Sequence, residues 1–275
     1  MYIPPKRIPT GGPGVLAYSE NFELLGGGLL NIIDNLNEID CKLILEAKSL
    51  TLIRFVRKFT VLDKTFALIN NRILTAGSQP TFGCILNGFG AINDLTCLSQ
   101  LTNLKSLHAD MRKNNQIEHI NKHLNLKSLA VDGEGISVKS IVEQKDLERL
   151  TLMGKLKDAE VIGSMSHLKE VNLWRSPLKN LDCLVSLEKL TELNIAFGSA
   201  GNYERLPDIG KIEKLSFTYV QKLTIDHLLP INGMKYLKEL KFDYQPHLTD
   251  LNWLTNKAVK TEVFRCKNYK KACLN

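Results

Sequence analysis

Along residues 100–245 the apolar positions recur as a short motif, apolar-x-x-apolar-x-apolar, in seven copies. They read LKSLHA from Leu104, LKSLAV from Leu126, LERLTL from Leu147, LKEVNL from Leu168, LTELNI from Leu190, IEKLSF from Ile212 and LKELKF from Leu237. The first residues are spaced by 22, 21, 21, 22, 22 and 25 positions. The alternation inside each copy predicts a strand with two residues pointing inward and three outward. In EVNLWRS, Val171 and Leu173 are therefore core, and Glu170, Asn172 and Trp174 face out. Between strands, Leu178, Leu181, Leu184 and Leu187 recur every third residue, as do Leu248, Leu251 and Leu254. That rhythm predicts 3₁₀ turns in place of long helices. A unit this short buries its apolar face only against neighbours, so the copies must stack.

The motif and its period resemble the leucine-rich repeats of bacterial internalins. The resemblance implies an α/β solenoid or horseshoe, with a parallel sheet on the concave face and turns or short 3₁₀ or α helices on the convex face. Upstream, the same pattern places strand cores at Phe22/Leu24, Leu43/Leu45, Phe66/Leu68 and Ile85, and a terminal strand near Val263. The organisation expected is an extended arm over 1–18, a solenoid over 19–264 (fainter in 19–100, clear in 101–256) and a basic tail over 265–275. One departure stands out. The family's asparagine three residues past the strand is replaced by Arg112, Glu134, Lys155, Ser176, Gly198, Val220 and Gln245, and only Asn71 fits. A largely missing asparagine ladder predicts a locally loose solenoid.

The formal charge is +7 over 275 residues, but it sits at the ends: +2 from Lys6 and Arg7, and +5 from residues 257–275. The remaining body balances 28 bases against 28 acids, which argues against nucleic acid as the ligand. Six cysteines without a C-x-x-C pair, no apolar leader and no 18-residue apolar run point to a cytoplasmic protein with reduced thiols and no membrane span. No catalytic motif is present. The glycine-rich stretches Gly26–Asn31 and Gly83–Gly90 lack the phosphate-loop lysine, and His119 and His123 lack a third metal ligand. Cys97 and Cys183 fall at equivalent places and read as small buried apolar residues. No enzyme, cofactor or metal is expected.

Across the seven strands the outward positions carry six acids and three bases, suited to a basic partner surface. Met153, Trp174 and Ala196 share one outward column and predict a continuous patch of the kind that anchors protein interfaces. The expected partner-binding set is Asp110, Asp132, Arg149, Met153, Glu170, Asn172, Trp174 and Glu192. The function this implies is non-enzymatic protein recognition through the concave sheet, in a monomer or hetero-complex. Three kinds of protein fill such a role: a toxin-neutralising immunity protein, a scaffold and a delivered effector adaptor. Nucleic-acid binding through the basic tail is the alternative of a different class.

Overall fold

A computed structural model describes residues 14–47, 50–77, 80–85, 95–112, 117–121, 125–175, 178 and 180–270. The chain divides into two compact units at Asp132/Gly133.

The first unit begins with an antiparallel meander of β1 (Val15–Tyr18), β2 (Phe22–Leu25) and β3 (Leu29–Ile32). The arm expected over 1–18 thus contributes Val15–Tyr18 to the sheet. Gly27 and Gly28 take positive φ (82° and 80°) in the β2–β3 turn, so these glycines serve the backbone. Parallel strands β4 (Leu52–Phe55), β5 (Thr81–Ile85), β6 (Ser106–Arg112) and β7 (Ser128–Gly133) follow in sheet order. Leu30, Ile53, Phe82 and Leu107 share one core column.

Two upstream expectations fail. Leu43/Leu45 lie in helix α1 (Glu38–Glu46), and Phe66/Leu68 in helix α2 (Asp63–Leu68), which runs on as a π-helical turn over Ile69–Ile73. Their alternating apolar pairs are incidental to helical faces: α1 buries Cys41 and Ile44, three apart, and leaves Leu43 exposed. Asn37 starts α1 with a capping box, its Oδ1 accepting from the Ile39 and Asp40 amides at 2.9 and 3.0 Å. Phe22/Leu24 is a strand as expected, whereas β5 is registered by Phe82, three residues before Ile85. Asn71 is exposed. Its neighbour Asn70 is the buried one, accepting from the Asn103 amide at 2.9 Å.

The second unit has β8 (Arg149–Met153), β9 (Glu170–Trp174), β10 (Glu192–Ala196), β11 (Lys214–Thr218), β12 (Glu239–Asp243) and β13 (Lys260–Phe264), all parallel and in sequential order. All seven expected strands are present, and the terminal strand near Val263 is β13. Leu150, Val171, Leu193, Leu215 and Leu240 align in one core column, each 0–1% exposed. The three-residue rhythm gives 3₁₀ turns at Lys139–Glu143, Ala159–Ser164, Asp182–Leu184, Leu206–Asp208 and Leu229–Gly233. Residues 248–254 instead form turns without a helix.

Within the second unit, neighbouring repeats stack closely enough to demand glycine. A Cβ on Gly163 would stand 2.4 Å from the Cys183 carbonyl oxygen, a backbone atom that cannot swing aside. Gly163→Ala is expected to cost about 1–3 kcal/mol in urea denaturation, the usual range for overpacking. An unchanged midpoint would contradict this spacing.

Candidate protein-binding face

The residue after each strand of the second unit has a left-handed backbone: Gly154 (φ 89°), Arg175 (54°), Phe197 (57°), Tyr219 (46°), Tyr244 (51°) and Arg265 (49°). From Gly154 to Tyr244, the amide of each of these residues continues the parallel ladder onto the end of the next strand. Gly154 N–H donates to the Trp174 carbonyl at 2.9 Å, Arg175 to Ala196 at 2.8 Å and Phe197 to Thr218 at 2.9 Å. Tyr219 donates to Asp243 at 2.9 Å and Tyr244 to Phe264 at 3.1 Å. This backbone ladder holds the repeats where the missing asparagines would, so the unit is regular despite their absence. At Gln245 the backbone N–H reaches the next repeat, donating to Cys266 Sγ at 3.2 Å, while its Nε2 donates within its own turn to the Asp243 carbonyl at 3.2 Å.

The left-handed turn also reverses which side chains show. By simple alternation Phe197, Tyr219 and Tyr244 would point inward; instead they are 45, 46 and 46% exposed, and the following Val220 and Gln245 are buried. With Trp174 (40%) and Phe264 (46%) they form an aromatic ridge at the ends of β9–β13. Trp174 meets Phe197 edge-on at 5.5 Å, and Phe197 lies 6.4 Å from Tyr219. Arg265 covers Tyr244 at 4.1 Å while its Nε donates to Asp243 Oδ1 at 2.9 Å; Lys241 stands 4.9 Å over Phe264. A left-handed non-glycine residue costs on the order of 1–2 kcal/mol. Glycine does the same backbone work at position 154, so the fold does not require aromatics there.

Beside the ridge runs a polar ladder. Asn172 Nδ2 donates to Thr151 Oγ1 (3.1 Å) and Glu170 Oε1 (2.8 Å). Asn194 Nδ2 donates to Asn172 Oδ1 (2.5 Å) and Glu192 Oε1 (3.3 Å), and Ser216 Oγ donates to Asn194 Oδ1.

The structure places Trp174 as expected, exposed, with Arg149 also exposed and Glu170, Asn172 and Glu192 half-buried around it. Met153 and Ala196 do share its register, yet they are 8 and 5% exposed and show no patch. The patch runs instead through Phe197, one residue beyond the strand, where the turn lifts the side chain out. Asp110 is buried on β6 and Asp132 half-buried on β7, both in the first unit. There burial pushes the His108 imidazole below its ordinary pKa, opposed by Asp110 and Asp132. The acidic excess read from strand positions also shrinks in the second unit. Arg175 and Arg265 add bases, β13 adds Lys260 and Glu262 in balance, and Lys214 pairs with Glu192 at 4.0 Å.

The basic tail is partly spent on its own chain. Lys257 Nζ donates to the Leu254 carbonyl at 2.5 Å, Lys260 pairs with Glu262 at 2.8 Å, and Arg265 pairs with Asp243. Lys271 lies outside the described residues, as do His123 and most of Gly83–Gly90. Cys97 is buried and Cys183 half-buried. Burial, reinforced by Glu160, pushes the Cys183 thiol up to about 11, and burial with Glu38 does the same at Cys41. At pH 8 the thiolate fraction of Cys183 should therefore lie roughly 100-fold below that of an unperturbed thiol. Iodoacetamide labelling followed by peptide mass spectrometry should show correspondingly slow modification; rapid labelling would contradict it. Among the described residues no group of three or more His, Cys, Asp or Glu is placed to hold a metal ion, and no helix is long and apolar enough to cross a membrane.

Parallel strands every 21–25 residues, backed by 3₁₀ turns and stacked through one leucine column, define a leucine-rich-repeat solenoid. Within that class the fold is internalin-like. The chain is similar to an internalin (inlF) from Listeria monocytogenes, at 17% identity and a TM-score of 0.52, covering 87% of this chain and 73% of that one. Internalin C2 (inlC2) of the same organism matches at 15% identity and a TM-score of 0.49, over 74% of this chain and 84% of that one. At such identities the likeness is one of fold. No protein-family model matches the chain, and no curated protein does.

Proposed function

We propose that the chain is a non-enzymatic recognition module that binds a partner protein through the outward strand face of its second unit, with the aromatic ridge as anchor. One observation carries this reading: Phe197, Tyr219 and Tyr244 are exposed in a left-handed conformation that glycine would adopt without strain. Trp, Tyr and Arg in a polar surround are the residue types that dominate interface energetics. The internalin-like fold supports the reading by analogy only.

The test is an affinity pull-down with the full chain as bait, beside a Trp174→Ala/Tyr219→Gly variant. A protein retained by the parent and lost from the variant supports the reading; identical captures oppose it. Mass spectrometry of that protein also separates the roles. A toxin makes the chain an immunity protein, whereas signalling components make it a scaffold or effector adaptor.

A further inference from the structure

The partner's chemistry follows from the hydrogen-bond inventory beside the ridge, given the recognition reading above. A side-chain amide nitrogen has two hydrogens and its oxygen two lone pairs. Both hydrogens of Asn172 Nδ2 are used, on Thr151 and Glu170, and both of Asn194 Nδ2, on Asn172 and Glu192. The Ser216 hydroxyl hydrogen is used on Asn194. What remains on this strip is acceptor capacity: the second lone pairs of the Asn172 and Asn194 oxygens and the outer sites of two carboxylates. A partner must bring donors, and charged donors bind carboxylates most strongly.

The ridge supplies the second half of the site. Trp174 lies two residues along the strand from Asn172 and four from Glu170, about 7 and 13 Å at the usual strand rise. An aliphatic stem laid on Trp174 and Phe197 covers the first interval and delivers its head to the amide oxygens. The chain makes this arrangement internally at β12–β13. Arg265 lies over Tyr244 while donating to Asp243, and Lys241 lies over Phe264. Among the described residues no cation stacks on Trp174, Phe197 or Tyr219. We propose that the Trp174–Phe197–Tyr219 ridge and the Asn172–Asn194 ladder receive arginine or lysine side chains from an apolar-basic segment of the partner protein.

Arg149 and Lys214 bracket the two glutamates at the strand starts, so the face is close to neutral overall. Lys214 is exposed and only 4.0 Å from Glu192, a weak pair that an incoming cation displaces. Recognition is therefore short-range and only mildly salt-dependent. Nucleic acid is disfavoured at the same place, because the Asn172–Asn194 amide donors are already used, two carboxylates lie beside them, and Trp174 and Phe197 meet edge to face.

The probe is a displayed library of random peptides panned on the full chain, followed by binding of the selected peptides in solution. Selected peptides should carry Arg or Lys next to an apolar residue, and replacing that base with Ala should weaken binding at least tenfold. Glu170→Gln/Glu192→Gln should weaken it about tenfold with the urea midpoint unchanged. Peptides that need Trp174 and Tyr219 but no basic residue overturn this inference and leave protein recognition standing. Peptides indifferent to Trp174→Ala/Tyr219→Gly overturn both. Failure to select any basic peptide, or tighter ridge-dependent binding of single-stranded oligo-dT, also overturns it.

Discussion

Replacing Phe197, Tyr219 and Tyr244 together by glycine should leave the protein folded and abolish partner binding. The stability terms oppose one another. Each substitution relieves about 1–2 kcal/mol of left-handed strain. Against that stand lost ring contacts of about 0.5–1.5 kcal/mol and the greater unfolded freedom of glycine, about 0.4–1 kcal/mol. The net change expected in urea denaturation is within about 2 kcal/mol of zero. The matching alanine variants keep the strain and lose the contacts, so glycine should be the more stable choice at each position, by about 1 kcal/mol. Binding behaves differently, since interface anchors cost about 2 kcal/mol or more each, some 30-fold in affinity. A glycine variant less stable than its alanine counterpart would contradict the left-handed strain assigned to these positions.

Leu193→Asp should unfold the second unit. Leu193 is 0% exposed and lies between Val171 and Leu215 in the core column. The change removes up to about 3 kcal/mol of apolar burial and places a carboxylate where nothing pairs with it, adding several more. Total stabilities are usually about 5–15 kcal/mol, and each repeat depends on its neighbours, so the loss propagates. Circular dichroism should show a lost cooperative transition, while Leu193→Met should cost less than about 1.5 kcal/mol. A cooperatively folded, soluble Leu193→Asp protein would refute the register. Leu150→Asp tests the same column one strand earlier and should behave alike.

The seven repeats were legible because both signals coincide there: alternation inside each strand and a leucine every 21–25 residues. Upstream only alternation was available, and it misread α1 and α2, where Leu43/Leu45 and Phe66/Leu68 lie within helical faces. Strands β3 and β4 escaped because Leu30 and Ile53 stand 23 residues apart in segments without the full motif.

The site was half legible. Trp174 was found by periodicity. Phe197, Tyr219 and Tyr244 were hidden by the same rule, since alternation assigns them to the core. Aligning the repeats does put Gly154, Arg175, Phe197, Tyr219 and Tyr244 in one column, each seven residues past its repeat's first apolar position. A glycine in a column of exposed aromatics is the sequence trace of a left-handed turn. The burial of Met153 and Ala196 left no such trace.

Hydroxyl-radical footprinting of the full chain, with and without a protein retained in the pull-down, tests the central claim most directly. Trp174, Phe197, Tyr219 and Tyr244 should become protected together, with Ile225, Leu229 and Tyr236, which are equally exposed and lie off the strands, unchanged. Protection of Ile225, Leu229 and Tyr236 with the ridge still reactive would contradict it.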